Sequence, residues 1–337
     1  MENRSDNLED VSVILPTFNA NGQLLERHIE GLNRWVSQAK EVVVVDSQSN
    51  DGTPEYIRKH LRHSDLKFFN RPRGLYQAWN FAVEQAESKY VYFATVGDVI
   101  DPHGVASLLD SAQKHNADVV ISPPRFLDEG LKVIEKKYWP VSWCSAALPT
   151  TRPILLLPDL VAAIHLLFFP STLAGSSASN LYRRQKLLDR PFPYNFGNQG
   201  DSGWALLSTV DLRWTIHPKP VADFITHEKA GTTDRRLITA RNDLLETMLR
   251  LLEEEAAWAE AIEKAGLRSF SSVLSAEEAL RKHWKELRFA SWPWQLTAEG
   301  WSLRAKRTSL KKQRNRLKKD RLRDLRSNLA GRPDSLR

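Results

Sequence analysis

Residues 11–19 read VSVILPTFN, and residues 41–53 read EVVVVDSQSNDGT. Each segment opens with a run of β-branched and aliphatic residues, which predicts a strand buried on both faces of a sheet. Each then changes to polar residues, proline or glycine, which predict a loop. We therefore predict strands over Val11–Leu15 and Glu41–Val45, the first two strands of a largely parallel sheet.

The same alternation continues through the first half of the chain. Further strands are predicted at Leu66–Phe69, Tyr90–Ala94, Asp118–Ser122 and Arg213–Ile216, and helices at Leu24–Ala39, Pro54–His63, Leu75–Glu87 and Gly104–His115. Strands that alternate with helices are typical of an α/β fold with an open, mostly parallel sheet flanked by helices. Beyond residue 234 the sequence predicts a helical extension, with helices at Arg236–Ala265, Ala276–Phe289 and Ala298 to about Leu329.

Composition and charge exclude several classes of site. The chain of 337 residues has one cysteine, Cys144, which excludes an intrachain disulfide and a cysteine cluster for a metal. The most apolar stretch, residues 154–169, is too short and too interrupted to span a bilayer, so we expect it to be buried or to face the acceptor, with a helix lying on a membrane as the alternative. The net charge of +7 is concentrated in residues 304–337, where fourteen Lys and Arg outnumber three Asp.

The residues with the most distinctive chemistry follow the predicted strands. The first strand is followed by Pro16, Thr17, Phe18 and Asn19, the second by Asp46, Ser49 and Asp51, the third by Arg71 and Arg73, and the fourth by Asp98. Ligands of open parallel sheets bind at the carboxyl ends of the strands, which is where these residues fall. An aromatic ring can stack on a nucleobase, arginine can bind a diphosphate, and a carboxylate can hold a divalent cation.

Each of these acidic residues also has a structural interpretation. Asp51 can belong to a turn that caps the next helix, with Pro54 in its first turn. Asp46 can simply end its strand, and Asp98 can cap the helix that follows it. Because the clusters converge on one edge of the predicted sheet, the ligand-binding interpretation is favoured.

Four segments together resemble family 2 glycosyltransferases of the GT-A fold. Residues 11–19 and 43–53 resemble the first and second nucleotide loops of that family, residues 74–80 (GLYQAWN) match the start of a helix in one subgroup, and residues 90–98 (YVYFATVGD) resemble the strand that enters the Asp-x-Asp metal motif. We accordingly expect a GT-A domain over residues 8–232, a helical extension over 233–300 and a basic tail, helical or partly disordered, over 301–337.

The resemblance implies a nucleotide-sugar donor, with UDP as the expected carrier, and Mg²⁺ or Mn²⁺ as the metal. The donor-binding residues that it implies are Pro16, Thr17, Phe18, Asn19, Asp46, Ser49, Arg71, Gly74, Asn80 and Asp98. Thr95 and Gly97 stand where Asp-x-Asp would place carboxylates, and the subgroup often carries Asn-x-Gly-Asp, from which Thr95 also departs. Asp98 would therefore hold the metal together with diphosphate and water oxygens.

The resemblance also implies an inverting displacement with a carboxylate as general base. In the family this base lies in an acidic motif at the start of a helix, and residues 197–204 (GNQGDSGW) fit that position. Asp201 is therefore the candidate base, with an ordinary helix N-cap as its structural alternative and Asp189 as a rival. His227 resembles a late histidine that closes over the diphosphate or metal, and a purely structural role is its alternative.

The acceptor is expected to be a glycan or a lipid-linked molecule, used in the cytoplasm or at the inner face of the cell membrane. Residues 175–180 are small and polar and suit a loop that faces the acceptor. The basic tail fits a solvated segment, contact with an anionic membrane surface, or nucleic-acid binding, which is the least favoured because no reader motif is present.

Two other functions stay open. A nucleotidyltransferase would need a glycine- and lysine-rich phosphate loop after the first strand, which residues 16–19 do not provide. A non-catalytic relative that binds a nucleotide sugar or a glycan is consistent with Thr95 and Gly97, and it would tolerate the substitution Asp201→Asn.

Overall fold

The two opening segments form adjacent parallel strands inside an eight-stranded sheet. The computed structural model describes residues 7–101, 103–128, 130–134, 139–148, 152–225, 235–290 and 298–330. The strands are β1 Leu8–Thr17, β2 Ala39–Asp46, β3 Leu66–Asn70, β4 Tyr90–Phe93, β5 Val99–Ile100, β6 Val119–Ile121, β7 Arg125–Leu127, β8 Ile154–Leu156, β9 Asn180–Arg183, β10 Trp214–Ile216 and β11 Ala222–Ile225.

Helices cover the sheet and continue beyond it. They are α1 Gln23–Leu32, α2 Thr53–His60, α3 Leu75–Gln85, α4 Gly104–His115, α5 Pro140–Ala147, α6 Pro158–Phe168, α7 Arg184–Asp189, α8 Gly200–Leu207, α9 Arg235–Glu254, α10 Ala256–Lys264, α11 Arg268–Ala290 and α12 Ala298–Ala330. The predicted α/β class with a helical C-terminal extension is confirmed.

The large sheet has the order β3-β2-β1-β4-β9-β6-β10-β8, and a small second sheet has the order β5-β11-β7. In the large sheet β9 runs antiparallel to both of its neighbours, and β8 runs antiparallel to β10. The remaining pairs are parallel, so β1, β2, β3, β4 and β6 end at the same edge. That edge carries the loops in which the sequence places its distinctive residues.

The valine run of β2 explains why the sheet needs helices on both faces. Val42 and Val44 join the core beneath α1, and Val43 and Val45 join the core beneath α3. All four side chains are fully buried, as expected for a strand inside a covered parallel sheet.

Several predicted boundaries were wrong. The helix predicted to reach Ala39 ends at Leu32, and the backbone has left the helical conformation by Trp35. The Asn33 side chain, at the end of this helix, donates to the His60 carbonyl at the end of α2 at 2.8 Å. The helix predicted over Arg236–Ala265 is two helices, α9 and α10. Strand β9 was not predicted, because its four residues show no clear period.

The apolar stretch at residues 154–169 forms β8 and α6, and α6 is buried from Leu160 to Phe168. Within the described part of the chain, no helix combines the length and apolarity needed to cross a membrane. The expected domain boundaries near residues 232 and 300 fall in or beside segments outside the described residues, so that division stays a prediction.

A buried histidine joins α6 to the elements that lead into the sheet edge. The backbone N–H of Leu173 donates to His165 Nε2 at 3.2 Å, so the ring proton lies on Nδ1, which donates to Thr209 Oγ1 at 2.8 Å. Burial lowers the pKa of His165 to about 3. This imidazole is therefore neutral in the folded protein over most of the acidic range.

The substitution His165→Gln should reduce the loss of stability in acid. The folded-state pKa of His165 lies below its unfolded value of 6.5, so its contribution is complete above about pH 6.5 and is lost as the pH falls toward 3. Glutamine offers both a donor and an acceptor but does not titrate. We expect the unfolding free energy, measured by denaturant titration from neutral pH to pH 4, to fall less steeply in the variant. Parallel curves for the two proteins would contradict this assignment.

Candidate active site

The carboxylate of Asp46 lies at the end of β2 and is fully buried. Its Oδ1 accepts hydrogen bonds from Thr17 Oγ1 at 2.8 Å and from Ser49 Oγ at 2.6 Å. Its Oδ2 accepts the backbone N–H of Ser49 at 2.7 Å. These bonds offset the cost of burying the group, and they tie the loop after β1 to the loop after β2.

A second set of hydrogen bonds extends this connection outward. The N–H of Asn19 donates to Ser49 Oγ at 2.8 Å, and the N–H of Asn21 donates to Asp51 Oδ2 at 2.9 Å. Asp51 Oδ1 also accepts the side chain and the backbone N–H of Thr53 at 2.6 and 3.1 Å. The turn-forming interpretation of Asp51 therefore matches the observed geometry.

The connected loops border a cleft of about 600 Å³. Its lining comprises residues 16–24 together with Thr95 and Val96. Phe18, which is 39% exposed, presents an aromatic ring in this lining. Of the predicted donor residues, Pro16, Thr17, Phe18 and Asn19 line the cleft, and Asp46 and Ser49 are bonded directly to them.

The two arginines after β3 lie in different places. The Arg73 guanidinium lies 4.3 Å from the centre of the Phe18 ring, a distance at which the cation and the ring attract each other, and this places Arg73 beside the cleft. The Arg71 guanidinium lies 4.2 Å from the Phe81 ring on α3, and its backbone N–H donates to the Asp46 carbonyl at 2.9 Å. The resemblance implies Arg71 as the donor-binding arginine, whereas the geometry places Arg73, and not Arg71, beside the Phe18 ring of the cleft.

The turn after β4 carries Thr95 and Asp98. Thr95 Oγ1 lies 2.7 Å from Ser177 Oγ, which links this turn to the loop expected to face the acceptor. Asp98 does not line the large cleft but a cavity of about 10 Å³, together with Arg27 and His28. His28 Nδ1 donates to the Asp98 carbonyl at 3.0 Å and so holds the turn in place.

Asp98 has an acidic neighbour that the sequence did not indicate. Burial, followed by the charge of Asp223, raises the pKa of Asp98 to about 7. Asp223 lies on β11 beside β5 and is bound by the Arg125 guanidinium through two hydrogen bonds of 2.6 and 2.8 Å. Among the described residues, no three His, Cys, Asp or Glu side chains form a group able to hold a metal. Asp98 alone could therefore not complete a metal site, and further ligands would have to come from elsewhere.

On the other side of the edge, α3 meets the start of α8. A Cβ built at Gly200 would lie 2.3 Å from the Pro193 carbonyl oxygen and 2.5 Å from the Tyr76 ring, so only glycine allows this approach. The Tyr76 hydroxyl lies within hydrogen-bond reach of two acceptors, the Asn198 carbonyl at 3.2 Å and the Asp201 carboxylate, and its single proton is shared between them. Glycine at position 200 therefore places Asp201 against Tyr76.

Burial raises the pKa of Asp201 to about 6, while hydrogen bonds from Ser202 and Tyr76 act in the opposite direction. The N–H of Ser202 donates to Asp201 Oδ1 at 2.7 Å. Asp201 lies in the first turn of α8, and the N-cap position belongs to Gln199, so the N-cap alternative for Asp201 is not the geometry observed. The rival Asp189 is exposed and accepts a hydrogen bond from Gln185 at 2.8 Å.

The remaining predicted residues fall outside the cleft. The Asn80 amide bonds the Phe192 backbone twice, donating at 2.8 Å and accepting at 2.9 Å, and so anchors the loop before Asp201. Gly74 is the N-cap of α3, where an added Cβ would meet the Gln77 side chain at 2.6 Å. His227 lies outside the described residues.

The substitution Gly200→Ala should destabilise the protein by about 1–3 kcal/mol, because the new methyl group overlaps a carbonyl oxygen and an aromatic ring. Gly31→Ala is the matched control, since Gly31 lies in α1 with nothing within 4 Å of an added Cβ. We expect this control to be neutral or to stabilise by up to about 1 kcal/mol. Denaturant unfolding measures both, and equal effects would contradict the close approach of α8 to α3.

The comparisons with known proteins agree with this architecture. The structure resembles that of S. aureus TarS 1-349 in complex with UDP-GlcNAc, with a TM-score of 0.57, 19% identity, and coverage of 75% of this chain and 69% of that chain. It also resembles the crystal structure of S. aureus TarS 1-349, with a TM-score of 0.54, 17% identity, and coverage of 95% of this chain and 83% of that chain. Likeness at this level of identity shows a shared fold.

Sequence comparison identifies the family. Glycosyltransferase GlyG of Streptococcus pneumoniae is 26% identical over 121 residues, which are 34% of this chain and 38% of that protein. The chain therefore aligns with well under two thirds of that relative. The model of the family described as glycosyl transferase family 2 matches residues 12–185, just over half of the chain. The chain belongs to glycosyl transferase family 2.

Proposed function

We propose that the chain is an inverting glycosyltransferase that transfers a sugar from a nucleotide sugar, with UDP as the expected carrier, to a hydroxyl of a glycan or lipid-linked acceptor. The observation that carries this proposal is the meeting of two features at one sheet edge. One is the cleft beside Asp46 and Phe18, and the other is the half-buried carboxylate of Asp201 at the start of α8.

The cleft suits a nucleoside diphosphate. The exposed Phe18 ring offers a stacking surface for the base, and the fully buried Asp46 carboxylate fixes the loops around the cleft through its hydrogen bonds with Thr17 and Ser49. Arg73 lies beside that ring and can reach a diphosphate with charge-assisted hydrogen bonds. TarS, which shares the fold, has been crystallised with UDP and with UDP-GlcNAc, and this supports UDP as the carrier.

Asp98 is the residue that we propose as the protein ligand of Mg²⁺ or Mn²⁺. Because Asp223 is bound by Arg125, the diphosphate and water would have to supply the other oxygen ligands. A bound divalent cation would stabilise the negative charge of the leaving diphosphate. The sequence resemblance adds His227 as a residue that closes over this end of the donor.

Asp201 is the base in this proposal. Its carboxylate accepts the proton of the acceptor hydroxyl while that oxygen bonds to the anomeric carbon and the bond to the diphosphate oxygen breaks, which inverts the configuration. A pKa of about 6 keeps the group mostly ionised at neutral pH yet basic enough to accept a proton. Ser202 and Tyr76 hold the carboxylate in place.

A second candidate function is a relative that binds the donor without cleaving it. The observation that favours it is Thr95, whose hydroxyl is engaged with Ser177 at a position where a second metal-binding carboxylate would stand. Such a protein would bind nucleotide in the same cleft and would not need Asp201.

The substitution Asp201→Asn distinguishes the two functions. The amide keeps the size of the side chain but cannot accept the proton, so we expect release of UDP from UDP-sugars to fall by about 10²–10⁴-fold. Nucleotide affinity should be unchanged, and the control Asp189→Asn should behave like the wild type. In the wild type, kcat/KM should rise with pH through about 6, where Asp201 loses its proton. Wild-type turnover in Asp201→Asn would contradict the assignment of the base.

A further inference from the structure

Helix α12 carries a row of five exposed cations, Lys312, Arg316, Lys319, Arg323 and Arg326. They are separated by four, three, four and three residues, a spacing that places side chains in one line along an α-helix. At 1.5 Å per residue the row is about 21 Å long. We call these five residues the cationic row.

The opposite face of α12 fixes the direction in which the row points. Leu317, Leu322 and Leu325 pack against the apolar core that the helices share with one face of the large sheet, and Leu329 is 1% exposed. On this packed side, Arg314 pairs with Glu277 of α11 at 3.2 Å. The cationic row therefore faces away from the domain.

The charge of the row is largely uncompensated. Arg323 approaches Asp320 at 4.0 Å, whereas in the part of the chain that the structure describes no carboxylate pairs with the other four cations. Asp324, the other acidic residue between positions 304 and 330, pairs with Arg321 at 3.4 Å. The row thus presents a dense positive field to solvent.

We propose that the cationic row docks α12 on the surface of an anionic lipid bilayer. A flat layer of anionic headgroups can meet every cation of a straight row that is exposed on one side only. Among residues 302–327 of α12, whose side chains the structure describes, no large apolar side chain is exposed, so the contact along the row is with headgroups and not by insertion. A nucleic-acid partner is less favoured, because the row is not accompanied by a recognisable nucleic-acid reader motif in the sequence.

The place of α12 connects this surface to the acceptor side of the site. Lys318 lies 5.5 Å from the Phe168 ring at the end of α6, and Phe168 packs against Trp143 of α5 at 5.3 Å. α5 follows Trp139, whose indole lies directly against the backbone of Gly175 in the loop expected to face the acceptor. Bilayer docking would therefore bring this loop toward a lipid-linked acceptor. This consequence rests on the proposed function, whereas the docking of α12 itself is independent of it.

The test is sedimentation of the full chain with vesicles, without any nucleotide sugar, so the outcome does not depend on the donor site. Wild-type protein should bind vesicles of mixed phosphatidylserine and phosphatidylcholine, and this binding should weaken as the salt concentration increases. It should not bind vesicles of phosphatidylcholine alone. The triple variant Lys312→Gln, Arg316→Gln, Lys319→Gln should bind about 100-fold more weakly, since each cation near the surface contributes about fivefold.

The matched control removes the same charge from exposed positions of the main domain, with Lys40→Gln, Lys59→Gln and Lys114→Gln. It should bind the anionic vesicles like the wild type. Equal losses in both triple variants, or no binding of the wild type to anionic vesicles, would overturn the proposal. Binding of duplex DNA or RNA through the row, without binding to vesicles, would overturn it in favour of a nucleic-acid partner.

Discussion

The buried carboxylate of Asp46 is the constraint on which the sheet edge depends. A carboxylate removed from water needs several hydrogen bonds, and here Thr17 and Ser49 supply them from the two loops that leave β1 and β2. Because the strands are parallel and adjacent, these loops emerge side by side. Satisfying one buried charge therefore sets the shape of the cleft that Phe18 lines.

The region around Asp201 is held together mainly by close packing. Gly200 packs against the ring of Tyr76 on α3. Asn80, one turn further along α3, binds the loop that precedes α8. Both residues belong to the helix that follows the arginines of β3. Arg73, beside the Phe18 ring, comes two residues before this helix, so one rigid element lies between the cleft and Asp201.

The elements that carry strong local patterns could be predicted from the sequence. The valines of β2 and the amphipathic helices can be recognised from a few neighbouring residues. Because parallel strands end at the same edge, the loops that follow them are then expected to lie together. Short strands that pair with residues far away in the sequence could not be predicted. Examples are the antiparallel β9 and the small sheet that brings Asp223 near Asp98. The roles of His28 and Asn80 likewise depend on contacts 70 and 112 residues away in the chain.

The central claim is that this edge binds a nucleoside diphosphate with help from a metal at Asp98. Isothermal titration calorimetry with a panel of nucleoside diphosphates, with and without Mn²⁺, on wild type and Asp98→Ala tests it most directly. The account predicts that one nucleoside diphosphate binds, that Mn²⁺ strengthens its binding, and that Asp98→Ala removes this gain. A folded wild-type protein that binds none of the nucleotides would contradict the account.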